Sequence, residues 1–318
     1  MLLAKPVKKV FAKAFPSRLP NLKDQIANIP IRHFNFKFSP DELDVKFFMQ
    51  KEWATAYFAA LSIFLTYGEE LVIETARHHR DQIQDPVLKQ RLTSLIGQEA
   101  IHSKVHEEYN ETMIPNNLPV QLYRFLAEQV FNHTFLKFPQ PLKLSMMAGI
   151  EHFTAVFAQY AMTHQDIFNH SLDEKTRALW LWHMLEESEH KDIAYDTYQV
   201  LSANYPLRIS GFFIALITLG LGVGAGALML PFLRRPMNSF SLSFWKEAKG
   251  SWDLLFSRDN GVFGSSLGHI FDYLRPDFHP NDHDTTELLE YFKKELLDPE
   301  TGTLTPYFVK EFTPALRM

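Results

Sequence analysis

Two stretches of the chain, Glu99-Ala-Ile-His102 and Glu187-Ser-Glu-His190, carry the same Glu-x-x-His spacing. A further glutamate stands about one helix upstream of each: Glu69 or Glu70 before the first, Glu151 before the second. On an α-helix, residues three apart lie about 60° apart on one face, so a carboxylate and an imidazole at that spacing can grip one ion. Two such pairs, with one glutamate from each of two further helices, match the ligand arrangement of a four-helix bundle around two metal ions. Four carboxylates carry −4 and two divalent ions carry +4, so such a buried site is neutral only when loaded.

The helices needed for this arrangement can be read from the apolar spacing. Trp53, Tyr57, Ala60, Leu61, Phe64, Leu65, Leu71 and Val72 recur at helical period within 41–80. Asp85-Pro86 starts a second helix running to about Asn110. A short apolar helix follows over Val120–Phe135. The third long helix covers about Leu142–Phe168, and a fourth, capped by Ser171 or Asp173, runs to about Asn204. No strand-period alternation of any length precedes residue 205. The connections are short, long and short, which predicts an all-α, ferritin-like four-helix bundle with one long crossover. Leu61, Leu65 and Glu69 share an i+4 row, which selects Glu69 over Glu70 as the partner of the first pair; Glu74 is expected to be exposed. His78 and His79, with Arg77 and Arg80, read as the solvated end of the first helix.

The domain organisation expected is a basic, proline-interrupted arm at 1–40, with a short amphipathic helix around Val7–Phe15, then the metal bundle at 41–205, a hydrophobic segment at 206–235 and a mixed C-terminal extension at 236–318. In that extension a helix near Asp284–Leu297 is the clearest element. Ile209 to Leu233 holds no charged residue across 25 positions, longer than the roughly 20 apolar residues that span a bilayer. Gly220, Gly222, Gly224 and Gly226 give it the small-residue spacing of packed membrane helices. More Lys/Arg follow the segment than closely precede it, which argues against a single span with the bundle inside the cell. A glycine-broken hairpin ended by Pro231 and lying in one leaflet avoids the conflict. The other readings are a wholly buried helix or a homodimer contact.

Cysteine is absent, which excludes disulfides, thiolate nucleophiles, zinc–thiolate sites and iron–sulfur clusters. A net charge of −5 gives no reason to expect nucleic acid as a partner. With no apolar run at the N-terminus resembling a signal peptide, the expected location is cytoplasmic, peripheral or monotopic at the inner membrane.

The segments Tyr67-Gly-Glu-Glu70, Gly97-Gln-Glu-Ala-Ile-His-Ser-Lys-Val-His106, Gly149-Ile-Glu-His-Phe-Thr-Ala155 and Trp182-His-Met-Leu-Glu-Glu-Ser-Glu-His-Lys191 resemble a bacterial family described as predicted metal-dependent hydrolases, over roughly residues 30–235. The chain departs from that family's pattern at Tyr67, where a proline commonly precedes the Gly-Glu. The resemblance places Glu69, Glu99, His102, Glu151, Glu187 and His190 on metal-ligand positions. His106, His152, His183 and Glu186 lie near them; His106 and His183 fit extra ligands, hydrogen-bonded supports or proton carriers, and support is the expected role of the group.

The expected cofactor is a pair of divalent transition-metal ions, with iron the first choice and manganese or zinc as alternatives. The expected activity is hydrolysis of a small apolar substrate, lipid or fatty-acyl, by metal-activated water. The alternatives are a di-iron oxygenase or oxidase activating dioxygen, and non-enzymatic iron binding or storage.

Overall fold

The computed structural model describes residues 29–314 apart from 44, 45, 47, 116, 117, 165–172 and 236–239. The expected Val7–Phe15 helix and the alternative cap Ser171 lie outside the described residues. The fold is all-α, with one small sheet of β1 (Ile31–Phe34) and β2 (Phe308–Phe312).

Four long helices carry the Glu/His residues: α1 (Glu52–Arg80), α2 (Pro86–Met113), α4 (Gln140–Thr163) and α5 (Glu174–His190). α1 packs on α2, α4 packs on α5, and α1 also meets α4. The long connection between α2 and α4 contains α3 (Val120–His133), so the short, long, short order is present. Caps set the starts: Asp85 accepts from the Leu88 backbone N–H at 2.8 Å, with Pro86 in the first turn, and Asp173 accepts from Thr176 at 2.9 Å. α1 begins at Glu52, later than expected, because Met49 (φ 52°) and Gln50 (φ 53°) hold left-handed backbone that no right-handed helix passes through.

The fourth helix is not continuous to Asn204. It stops at His190, turns through Lys191 and Asp192, and resumes as α6 (Ile193–Leu201). The turn is held by tertiary contacts. Asp192 pairs with Arg91 at 2.7 Å and accepts from Asn281 at 2.9 Å, while Lys191 donates to the His283 carbonyl at 2.7 Å.

The apolar segment forms α7 (Tyr205–Arg234), one unbroken helix that passes through Gly211, Gly220, Gly222, Gly224, Gly226 and Pro231. The hairpin expectation is therefore corrected. Packing against α1 and α4 outweighs the weak helix propensity of glycine. The glycines divide by face. A Cβ on Gly222 would fall 2.1 Å from the Phe64 ring, and one on Gly226 would fall 2.6 Å from Ala60, whereas Gly220 and Gly224 face open space.

Beyond α7, α8 (Leu242–Phe256) and α9 (Leu267–Asp272) are helices that the sequence pattern did not reveal, and α10 (Thr286–Leu296) matches the expected C-terminal helix. The four-residue β1 is a second correction, since no strand was expected before residue 205. It pairs with β2 near the other end of the chain and turns Arg32 into the bundle.

Candidate metal centre

The two Glu-x-x-His pairs meet across α2 and α5. Glu99, His102, Glu187 and His190 each offer a ligand atom within 4.8 Å of the others. His102 Nδ1 lies 3.8 Å from both Glu99 Oε1 and Glu187 Oε1, and His190 Nε2 lies 3.2 Å from Glu99 Oε1. A second group joins Glu69, His106 and His183 on the same terms. Glu187 links the two, because its Oε1 is also 3.0 Å from His183 Nε2. Glu69 is buried and Glu70 exposed, as the i+4 row required. Glu151 stands in neither group, and its Oε2 contacts His190 Nδ1 at 2.7 Å.

Hydrogen bonds decide how the histidines are oriented. Ser62 donates its one hydroxyl proton to Asn110 Oδ1 at 2.7 Å, so its 2.8 Å contact with His106 Nδ1 must be donated by the histidine. A neutral His106 then accepts at Nε2 from His183 Nδ1, 2.8 Å away. His183 Nε2 then faces the Glu187 carboxylate at 3.0 Å, close enough for the two to hold one cation between them. His106 is therefore a support, and its ring is held neutral by burial and by His183 beside it. Glu186 contacts His102 Nε2 at 3.0 Å and is itself held by Arg32 at 3.2 Å. His152 points elsewhere: its Nε2 meets the Ile270 carbonyl at 3.1 Å, in a pocket with Tyr273 and Phe278.

The electrostatics are those of acids crowded without enough positive charge. Burial, together with repulsion from neighbouring glutamates, pushes Glu69 and Glu99 well above the usual carboxylate range. Burial also raises Glu151, though His190 opposes it. Burial works against the charge of Glu187 as well, but His190 and His183 outweigh it and keep this carboxyl low. His190 is the counterpart: burial disfavours its charge, yet Glu151 and Glu187 raise it to about 9.

Seven polar atoms here are buried with no hydrogen-bond partner among the described residues: both oxygens of Glu69, Glu99 Oε1, His102 Nδ1, His183 Nε2, Glu187 Oε2 and His190 Nε2. One such atom costs about 1–3 kcal/mol. Seven converging on one place are what a nitrogen- and oxygen-coordinated cation would satisfy.

A family model described as predicted metal-dependent hydrolase matches residues 30–284. The chain belongs to this family. The match runs past the expected limit near 235 and takes in α8, α9 and the loop that holds the Lys191–Asp192 turn. No curated protein and no solved structure matches the chain. Family membership and the buried Glu/His groups together indicate a metal cofactor.

Sequence reasoning missed Arg32, which it assigned to a basic arm. Here Arg32 is 3% exposed and holds Glu189 through two nitrogens at 2.8 and 2.9 Å, with Gln98 on the same carboxylate. It also missed Ser62 and Asn110, although a signal was present. Ser62, Thr66 and Glu69 form a polar row on the apolar α1, and Asn110 continues the row of Glu99, His102 and His106 on α2. His79, read as solvated, is buried, whereas His78 is exposed. Glu74 is partly exposed and pairs with Lys143 at 2.5 Å.

Proposed function

We propose that this family member is a dinuclear-metal hydrolase acting on an apolar, lipid-like substrate. The observation that carries the proposal is the convergence of seven unpartnered buried atoms from α1, α2 and α5. Glu99, His102, Glu187 and His190 would hold one ion. Glu69 and His183 would hold the second, with Glu187 shared between them and Glu151 orienting His190 or joining the ligands. The ring of carboxylates and imidazoles and the lack of thiolates suit iron or manganese, with zinc as an alternative. Ions bound there would supply Lewis acidity and an acidified water. The protein's own groups hold the ligands in one geometry and exclude bulk solvent. Glu151 Oε2 accepts the His190 Nδ1 proton at 2.7 Å, which leaves His190 Nε2 for the ion.

Metal analysis of the purified protein tests this. Two transition-metal ions per chain are expected, with loss of metal in Glu99→Ala and His190→Ala. A protein that holds no transition metal, or variants that hold as much as the wild type, would sink the proposal.

One observation favours a second reading, oxygen activation. All six family ligand positions are no more than 4% exposed, and a water-excluding site suits oxidation of an apolar substrate as well as hydrolysis. Anaerobic Fe(II) loading followed by oxygen separates the two. Oxygen uptake with a transient visible absorbance supports oxidation. Oxygen inertness with esterase activity under Zn(II) or Mn(II) supports hydrolysis, and uptake of many irons per chain indicates storage.

The lipid-like substrate and a place at a membrane surface are supported by exposed apolar side chains on neighbouring helices. These are Phe213, Ile217, Leu221 and Leu228 on α7, Phe125 and Val130 on α3, and Trp245 and Trp252 on α8 beside Lys246 and Lys249. Leu221 is 70% exposed and Trp252 63%. Mixed tryptophan and lysine on one helix is a pattern of interfacial helices. Extraction of cell membranes with carbonate checks it: recovery wholly in the soluble fraction before and after extraction would remove the membrane reading.

A further inference from the structure

A cavity of about 40 Å³ lies between α1, α4 and α7 under Phe131 of α3. Phe64, Leu65, Met146, Ile150, Phe153 and Leu219 form most of its wall, and it exposes no polar surface. A space without polar partners stays dry and takes an apolar guest. Gly68 and Ile150 in its wall are the chain neighbours of Glu69 and Glu151. Leu65 lies one turn before Glu69 on the same row, and Thr154, also in the wall, follows Glu151 on α4 and donates its hydroxyl to the Glu151 carbonyl at 3.2 Å. Its outer end is formed by Thr218 and Leu219, half-buried between the exposed Ile217 and Leu221.

Gly68 lines the cavity and sits in the middle of α1, immediately before Glu69. Glycine is unfavourable inside a helix, and here no packing contact demands it, since a Cβ at this position would meet nothing within 4 Å. The residue keeps open a space that any side chain would enter.

The geometry points to this cavity as the seat for the first carbons of the substrate's hydrocarbon chain, next to the group presented at Glu69, with the rest of the chain leaving between α3 and α7 and Gly68 setting the room available. The assignment rests on the metal-centre reading above and names the substrate class of that site as an alkyl or acyl chain. Each methylene buried there tightens binding roughly fourfold.

The test is titration of the full, metal-loaded chain with cis-parinaric acid, a fluorescent fatty acid, with metal content measured on the same samples. One probe per wild-type chain is expected. Gly68→Leu, which fills the cavity from α1, and Leu219→Trp, which fills it from α7, are each expected to bind at least about tenfold more weakly, the loss of roughly two methylenes. The second variant serves if the first fails to fold. Gly220→Leu, whose side chain enters open space on the outer face, is expected to bind as the wild type does. No binding by the wild type, equal binding by both cavity variants, or weakening at Gly220→Leu alone would overturn the assignment. Normal metal content with binding indifferent to Gly68 leaves the metal centre standing and removes only the cavity. A wild-type chain without metal removes the metal centre and, with it, the delivery of the chain to Glu69.

Discussion

His102 and Glu186 lie on facing helices with Nε2 and Oε2 3.0 Å apart, and the contact leaves His102 Nδ1 turned toward Glu99 and Glu187. A cation on Nδ1 requires the proton on Nε2, where Glu186 accepts it. Arg32 holds Glu186 in place at 3.2 Å. A carboxylate behind a metal-binding histidine fixes both ring orientation and basicity, and its loss typically costs 10–100-fold in metal affinity. Glu186→Ala is therefore expected to bind metal about 10–100-fold more weakly with its helical content unchanged. Chelator competition read beside circular dichroism checks this, and unchanged affinity would show that Glu186 supports nothing.

The turn after His190 depends on the pair formed by Arg91 and Asp192, both nearly buried and 2.7 Å apart. Removing one partner strands a buried charge, so Arg91→Met is expected to destabilise the protein by about 3–5 kcal/mol. Replacing both partners with apolar residues is expected to recover much of the loss. Urea unfolding of the single and double variants measures both, and a double variant no better than the single would show that the pair contributes more than charge balance.

Glycines on the two faces of α7 are expected to respond in opposite directions. Gly226→Leu drives a side chain into Ala60 and the Tyr123 ring, and overpacking of this kind costs about 1–3 kcal/mol. Gly224→Ala enters open space in a helix and is expected to stabilise by about 0.5–1 kcal/mol. Thermal unfolding of the two variants should shift the midpoint down and up respectively; equal shifts would contradict the division of faces.

The His152 ring should make stability fall in acid. Burial pushes its imidazole down to about 4, against a smaller opposing effect from the Ile270 carbonyl. Because the folded value lies below the unfolded value of about 6.5, the unfolded chain binds the proton first. The stabilisation from the neutral ring is complete above about pH 6.5 and is lost as pH falls toward about 4, by at most about 3 kcal/mol. Unfolding free energies of wild type and His152→Gln at pH 7 and pH 4.5 test this. The gap between them should narrow in acid, and a constant gap would show that His152 does not titrate on unfolding.

Much of the candidate site was legible in the chain because helical spacing converts sequence distance into direction. A spacing of three from Glu99 to His102, and from Glu187 to His190, put each pair on one face before any contact was known. The same arithmetic chose Glu69 over Glu70. It could not separate His106 from His183, which occupy equivalent positions four residues from a motif. Their roles depend on which ring nitrogen Ser62 and Asn110 leave free, and that is settled across helices. His152 carried the same spacing signal as a true neighbour of Glu151, yet its ring turns to the Ile270 carbonyl from a distant part of the chain.

The doubled Glu-x-x-His motif, the helix caps and the short, long, short connections follow from the sequence alone, since each rests on local backbone geometry and residue periodicity. Only the tertiary structure decided the rest: the break after His190, the entry of Arg32 from β1, the continuity of α7 through its glycines and the open space at Gly68. Each of these depends on partners distant in the chain, and the energies involved are those of burial and charge pairing, which no local pattern encodes.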